Sequence, residues 1–207
     1  INGKGIITFD KDITIIPNDA FINNLTLLSV ILPNQVETIG SSAFSGCKYL
    51  EQVTIGKYTL SIGGNAFYGC IRLNSINFPA ELKYINVNAF TNCDALTEIT
   101  LPNSLKTIGY SAFSSCDKLA KVDLGQGVTK IDNYAFSTCP SIKEIVIPNS
   151  TTSIGEYAFN KCTTLAKVTV GDSTITIGAS AFNECIGLTT VVLGKKVETI
   201  GGNAFAG

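Results

Sequence analysis

The segment Leu101–Val122 reads LPNSLKTIGYSAFSSCDKLAKV, and it decides the fold because its apolar pattern recurs along the whole chain. The Ala-Phe pair inside it occurs nine times at intervals of 23 residues, and nine such units make up the 207 residues. The phenylalanines are Phe21, Phe44, Phe67, Phe90, Phe113, Phe136, Phe159, Phe182 and Phe205. A fixed period of about 20 to 50 residues is typical of repeat proteins. We therefore expect residues 1–207 to form a single array of nine units.

Positions counted from each phenylalanine predict the structure of one unit. In the copies that follow a phenylalanine of the series, position nine is Val or Ile, position eleven is apolar and position twelve is Pro or Gly, as in Val30, Leu32 and Pro33. This alternation predicts a short β-strand that Pro or Gly ends. Successive copies would pair in parallel, about 4.8 Å apart. The Ile-Gly-x-x-Ala-Phe stretch is too short for an α-helix and predicts a turn on the opposite side.

Composition argues against several classes of function. The chain has no His, its net charge is −1, and Arg72 is its only arginine. The usual general base and imidazole metal ligand are therefore missing, and so is the basic surface that nucleic acid requires. No apolar run approaches the roughly 20 residues of a membrane-spanning helix. We expect no enzyme, no catalytic residue, no cofactor or metal ion, no nucleic-acid partner and no membrane span in this segment.

Seven cysteines occupy position three of successive units. They are Cys47, Cys70, Cys93, Cys116, Cys139, Cys162 and Cys185. Stacked units would bring their Cα atoms within disulfide range, but parallel side chains do not suit a disulfide torsion, the count is odd and no C-x-x-C pair occurs. Small buried thiols are the favoured interpretation, and disulfides and a metal site are the alternatives.

Two surfaces are candidates for binding, because positions eight and ten of the strand should face outward. The first, the outward strip, comprises Glu98, Thr100, Lys121, Asp123, Glu144, Val146, Lys167 and Thr169. Its alternating charges predict either a ladder that fixes strand register or a strip that meets a protein ligand. The second, the tyrosine patch, comprises Tyr110, Tyr134 and Tyr157. It either binds a partner or simply covers apolar surface.

The repeat also resembles a known family. The Leu-x-x-Val-x-Ile/Leu pattern is similar to the strand half of leucine-rich repeats, but the cysteine precedes the first leucine by three residues. That arrangement, seen well in Leu101–Val122, resembles the BspA-like, Treponema-type leucine-rich repeat. The resemblance implies a mainly β solenoid. One parallel strand per repeat would line the concave face, and turns or short 3₁₀ segments would lie opposite.

The resemblance further implies a role. This family includes bacterial and protozoan surface proteins associated with adhesion to host matrix proteins such as fibronectin and fibrinogen. We therefore expect a non-catalytic protein-interaction or adhesion module, cell-surface or secreted, although free thiols are also compatible with the cytoplasm. The alternative is a structural spacer or stalk without a ligand. An enzyme would require a deep pocket enclosing two carboxylates such as Asp132 and Glu156.

The two ends of the array carry a further expectation. The segment begins and ends inside a repeat, and solenoids normally need capping units to cover their core. We expect a fragment of a longer array, with core side chains exposed near Ile7, Phe9 and Phe205. Flanking sequence would cover them, or the ends would associate with other copies of the chain.

Overall fold

The computed structural model describes residues 5–7, 9 and 13–207. Across these residues the chain winds into successive coils of 23 residues, each with two short strands and no helix. The first strands of the coils are β1 (Gly5–Ile7), β3 (Leu27–Ile31), β5 (Gln52–Thr54), β7 (Ser75–Asn77), β9 (Glu98–Thr100), β11 (Lys121–Asp123), β13 (Glu144–Val146), β15 (Lys167–Thr169) and β17 (Thr190–Val192). The second strands are β2 (Ile15–Ile16), β4 (Thr38–Ile39), β6 (Ser61–Ile62), β8 (Tyr84–Ile85), β10 (Thr107–Ile108), β12 (Lys130–Ile131), β14 (Ser153–Ile154), β16 (Thr176–Ile177) and β18 (Thr199–Ile200).

All pairing between strands is parallel and joins neighbouring coils. The second strands form one sheet of nine strands, in which Ile108 lies opposite Ile85 on one side and Ile131 on the other. The first strands form three smaller sheets instead, with the orders β1-β3-β5-β7, β9-β11 and β13-β15-β17. The predicted mainly β leucine-rich-repeat solenoid is thus confirmed.

The second strand of each coil was not anticipated from the sequence. We expected one strand per repeat and only turns opposite it, whereas each coil adds a two-residue strand at positions seventeen and eighteen. These positions hold pairs such as Thr107-Ile108, and the Ile side chain is buried. Two residues are too few to predict a strand in isolation. Repetition of the pair in every coil allows the copies to hydrogen-bond into a continuous sheet.

Phenylalanine rings fill the centre of the solenoid. Neighbouring rings of the column, from Phe21 to Phe205, stack with centroids 5.0 to 5.3 Å apart and planes within 11° of parallel. The alanine before each ring and the leucine or isoleucine at position six are buried beside them in nearly every coil. Since each ring contacts the next, the column ties neighbouring coils together.

The seven cysteines are free and buried, as the favoured interpretation predicted. Each Sγ lies 3.1 to 3.3 Å from the carbonyl oxygen of the phenylalanine 26 residues earlier, to which the thiol donates. Burial raises the pKa of the Cys47 thiol to about 11 and also raises the pKa of Cys70 and Cys93. The hydrogen bonds of the seven thiols therefore link adjacent coils, and burial keeps Cys47, Cys70 and Cys93 protonated.

Core side chains are exposed in the last coil. Val191, Leu193 and Ile200 are 37%, 44% and 47% exposed, whereas most of their counterparts in earlier coils are buried. Phe9 and Phe205 are partly buried against the core. The side chain of Ile7, named in the expectation about the ends, lies outside the described residues.

Candidate functional site

The outward strip lies on the first strands of four consecutive coils. Its side chains are exposed except for Thr169, which is half-buried. Lys121 lies opposite Glu98 on the paired strands β9 and β11, and Lys167 lies opposite Glu144 on β13 and β15. The structure therefore brings the predicted residues together on one surface.

The charge ladder is formed at only one rung of the strip. Lys121 Nζ lies 3.3 Å from Glu98 Oε2, with both side chains more than half exposed. Among the described residues, no other two members of the strip form an ion pair. An exposed pair of this kind contributes about 0–1 kcal/mol, so the alternating charges do little to stabilise the fold.

A shallow depression of about 620 Å³ runs across the strip. It is lined by Glu98, Ile99, Thr100, Ala120, Lys121, Val122, Asp123, Lys143, Glu144, Ala166 and Lys167. Acidic and basic groups alternate around an apolar floor, which suits a ligand carrying both charges and apolar groups. The depression is open to solvent rather than enclosed.

The tyrosine patch forms a short row on another surface. Tyr134 and Tyr157 stack with ring centroids 4.9 Å apart and planes 7° from parallel, and Tyr110 packs against Tyr134 at 5.4 Å with a tilt of 52°. Partial removal from water is the main factor that raises the pKa of the Tyr134 phenol, followed by the neighbouring Tyr157. The three rings therefore form one aromatic cluster.

The backbone under this cluster is unusual for tyrosine. Tyr134 and Tyr157 have φ values of 59° and 55°, in the left-handed region. The same position in the other coils holds only small polar residues, Asp19, Ser42, Asn65, Asn88, Ser111, Ser180 and Asn203. A bulky residue is disfavoured in this conformation. The packing and hydrogen bonds between neighbouring coils must therefore hold the two tyrosines in it.

A second depression of about 390 Å³ adjoins Tyr110 and was not predicted from the sequence. It is lined by Tyr84, Ile85, Asn86, Val87, Thr107, Gly109, Tyr110 and Asp132. The missed aromatic is Tyr84, which stands where other coils carry Ile, Ser, Thr or Lys and is 51% exposed. Asp132 is the one carboxylate that lines this second depression, and its Oδ2 lies 3.3 Å from Lys130 Nζ. Glu156 does not line the depression.

No metal-binding constellation is found in the part of the chain that the structure describes, where no three His, Cys, Asp or Glu side chains are grouped to hold an ion. Within the same residues there is no helix of the length and hydrophobicity needed to cross a bilayer. The two depressions described above are candidate binding surfaces.

The coil length, the buried leucine and phenylalanine columns and the parallel sheets define the class of protein. A solenoid of 23-residue coils whose first strand follows a Leu-x-x-Val-x-Leu pattern is a leucine-rich-repeat protein. The chain belongs to the BspA-type leucine-rich-repeat family, whose sequence profile matches residues 14–143 and 129–207 with six copies.

Solved structures of bacterial leucine-rich-repeat proteins resemble the chain. A leucine-rich repeat protein of T. pallidum is 30% identical with a TM-score of 0.65, over 94% of this chain and 81% of that one. A leucine-rich repeat protein of Bacteroides ovatus is 26% identical with a TM-score of 0.65, over 96% and 70%. A leucine-rich cell surface protein of Faecalibacterium prausnitzii is 25% identical with a TM-score of 0.60, over 89% and 66%.

The chain thus spans 66% of the length of the Faecalibacterium protein, slightly less than two thirds. No curated protein of known function matches the sequence.

Proposed function

We propose that this chain is a non-catalytic module that binds protein ligands at a cell surface through the outward strip. The depression of about 620 Å³ supports this proposal most strongly, because six of the eight predicted strip residues line it. Its charged groups of both signs around an apolar floor offer electrostatic complementarity to a protein ligand, and its open form suits a protein surface more than an enclosed small molecule.

The fold supports a binding role for this surface. In a solenoid, residues of successive coils align in columns, so a surface can change in sequence while the core stays constant. Positions eight and ten vary freely along this chain, whereas position nine between them is always Val or Ile. The variable residues therefore specify the ligand on a constant scaffold.

A surface location and a matrix ligand extend the proposal. The related Faecalibacterium protein is described as a cell surface protein. By the family resemblance, the ligand is a host matrix protein such as fibronectin or fibrinogen. The tyrosine patch is a second candidate contact, since tyrosine is enriched at protein interfaces.

The competing function is a spacer that binds no ligand. Pull-down of purified fibronectin and fibrinogen by the immobilised chain distinguishes the two. We expect saturable capture of at least one matrix protein, which excess soluble chain abolishes. Absence of saturable capture from both would favour the spacer and contradict the matrix-adhesion proposal.

Self-association is a separate proposal about the last coil. Exposed Val191, Leu193 and Ile200 offer apolar area to a second copy of the chain. We expect a mass that rises with concentration in sedimentation equilibrium and becomes monomeric when Leu193 is replaced by Glu. A mass that stays monomeric at every concentration would contradict this proposal.

A further inference from the structure

The sheet of first strands is interrupted at two junctions between coils. In most paired junctions, the amide at position eleven donates to the backbone carbonyl at position ten of the next coil, whereas at the paired junction of β5 with β7 the Ile55 amide donates to the side-chain Oδ1 of Asn77 (3.0 Å). The backbone bonds are Leu32 to Thr54 (2.9 Å), Leu101 to Asp123 (2.8 Å), Ile147 to Thr169 (2.8 Å) and Val170 to Val192 (2.8 Å). The amides of Phe78 and Leu124 have no backbone partner of this kind among the described residues.

The amide at position seven shows the same interruption. It donates to the preceding coil from Ala120 to Thr97 at 2.9 Å and from Ala166 to Lys143 at 2.8 Å. Within the described residues, the amides of Thr97 and Lys143 make no such bond. Both kinds of bond are therefore missing at the junctions of β7 with β9 and of β11 with β13.

The opposite face of the solenoid stays paired at both junctions. Strand β8 pairs with β10, and β12 pairs with β14. Gly109 N donates to Ile85 O at 3.0 Å, and Gly155 N donates to Ile131 O at 2.8 Å. Each junction is thus open along one face and closed along the other.

A bulky core residue accounts for the first junction. Position eleven holds Leu in several coils but Phe78 before this junction. The Phe78 ring packs edge-on against Phe90 at 5.6 Å and against Phe113 of the following coil at 6.4 Å. Because the ring reaches into the next coil, it separates β7 from β9. Ile76 on β7 is accordingly only half-buried.

A local turn accounts for the second junction. Asp123 stands where Thr54, Thr100 and Thr169 stand in other coils, and its Oδ1 accepts a hydrogen bond from Gly125 N at 2.9 Å. Gly125 has a φ of 65°, in the left-handed region. This turn at the end of β11 competes with the backbone hydrogen bond that the Leu124 amide would otherwise donate to the next coil. Val122 beside it is half-buried, although position nine is buried in most coils.

We propose that these two junctions are joints, at which the blocks of first strands open and close while the sheet of second strands acts as the hinge. The depression over the outward strip crosses the second joint. Closure there would bring together Lys121 and Glu144, which have opposite charges on adjacent coils. The joints are features of the free chain, so the proposal stands whether or not the strip binds a ligand.

Residue-resolved hydrogen exchange of the whole chain tests the proposal. We expect the amides of Phe78 and Leu124 to exchange roughly tenfold faster than those of Leu101 and Ile147, which occupy the same position in paired junctions. Equal protection of the four amides would show a continuous sheet and overturn the proposal. Equally fast exchange at Gly109 and Gly155 would show that both faces loosen together, which also overturns it.

Two substitutions at Asp123 provide a matched comparison. Asp123→Thr replaces the carboxylate with a weaker hydroxyl acceptor and installs the residue found in other coils, so the Leu124 amide should exchange roughly tenfold more slowly. Asp123→Asn keeps an acceptor and should leave the exchange fast. The Ile147 amide, which is bonded on the far side of the joint, reports that both variants are folded. Identical Leu124 exchange in the two variants would overturn the proposed origin of the second joint.

Discussion

At the scale of single residues, the solenoid imposes one backbone conformation on each position, whatever side chain occupies it. Position two is left-handed in every described coil and holds Asn, Gly or Ser in several of them, but Thr138 has a φ of 58° there. A β-branched residue is strained in this region, and the Thr138 side chain is exposed. The strain is therefore a cost that neighbouring coils offset.

Replacing Thr138 by Asn should stabilise the protein. Asn occupies the same position at Asn23 and Asn92 with φ values of 56° and 59°. Relief of the strain should raise the free energy of unfolding by about 1 kcal/mol, measured by urea denaturation. Ser115→Asn, at the equivalent position one coil earlier, should change it by no more than a few tenths of a kcal/mol. An unchanged or lower stability for Thr138→Asn would contradict the argument.

The buried thiols should make stability depend on alkaline pH. Burial raises the pKa of Cys47 to about 11, above the value near 9.0 of an exposed thiol. The folded chain therefore retains the proton longer than the unfolded chain does, so this contribution is complete below about pH 9 and is lost as the pH rises toward about 11. The difference in unfolding midpoint between wild type and Cys47→Ala should shrink over this range. A constant difference would rule out the thiol as its source.

At the scale of elements, the period in the sequence predicted the first strands and the buried cysteines. Each is repeated in almost every coil, so the pattern is visible without a structure. The second strands were missed because two residues carry too little local signal. The two joints were missed because they depend on single departures, Phe78 and Asp123, whose effect appears only when neighbouring coils are stacked.

The candidate site was predicted only in part. Outward-facing positions followed directly from the alternation along the first strand, so the strip could be named from the sequence. The second depression could not, because Tyr84 and Tyr110 occupy different positions of the repeat and meet only across coils. The ion pairing of the strip also depends on side-chain geometry, which the charge pattern alone did not give.

Removing one central ring should uncouple the array. Phe113 is fully buried and stacks on Phe90 at 5.1 Å and on Phe136 at 5.3 Å. Phe113→Ala should cost about 3–5 kcal/mol and, because coils contact only their neighbours, should divide the thermal transition into two. Circular dichroism on heating would detect this division. Tyr110→Ala, on the exposed surface of the same coil, should leave a single transition, and a single unshifted transition for Phe113→Ala would refute the prediction.

At the scale of the whole molecule, the chain is a regular scaffold with two distinct exposed faces. The first-strand face carries the outward strip and is divided by joints, whereas the second-strand face is continuous and borders the tyrosine-lined depression. Buried columns hold the coils together through ring stacking and thiol hydrogen bonds. The surface residues can therefore be exchanged with little effect on the fold, which allows binding and stability to be tested separately.

Surface plasmon resonance of fibronectin and fibrinogen over the immobilised chain tests the proposed binding by the outward strip. A variant with reversed charges at Glu98, Lys121, Glu144 and Lys167 should bind at least one of them roughly tenfold more weakly than wild type. A variant with Ser at Tyr110, Tyr134 and Tyr157 tests the second candidate contact separately, and weaker binding by this variant alone would place the ligand on the tyrosine patch. If the charge-reversed variant keeps both its affinity and its melting temperature, the proposal that the outward strip binds the ligand is contradicted.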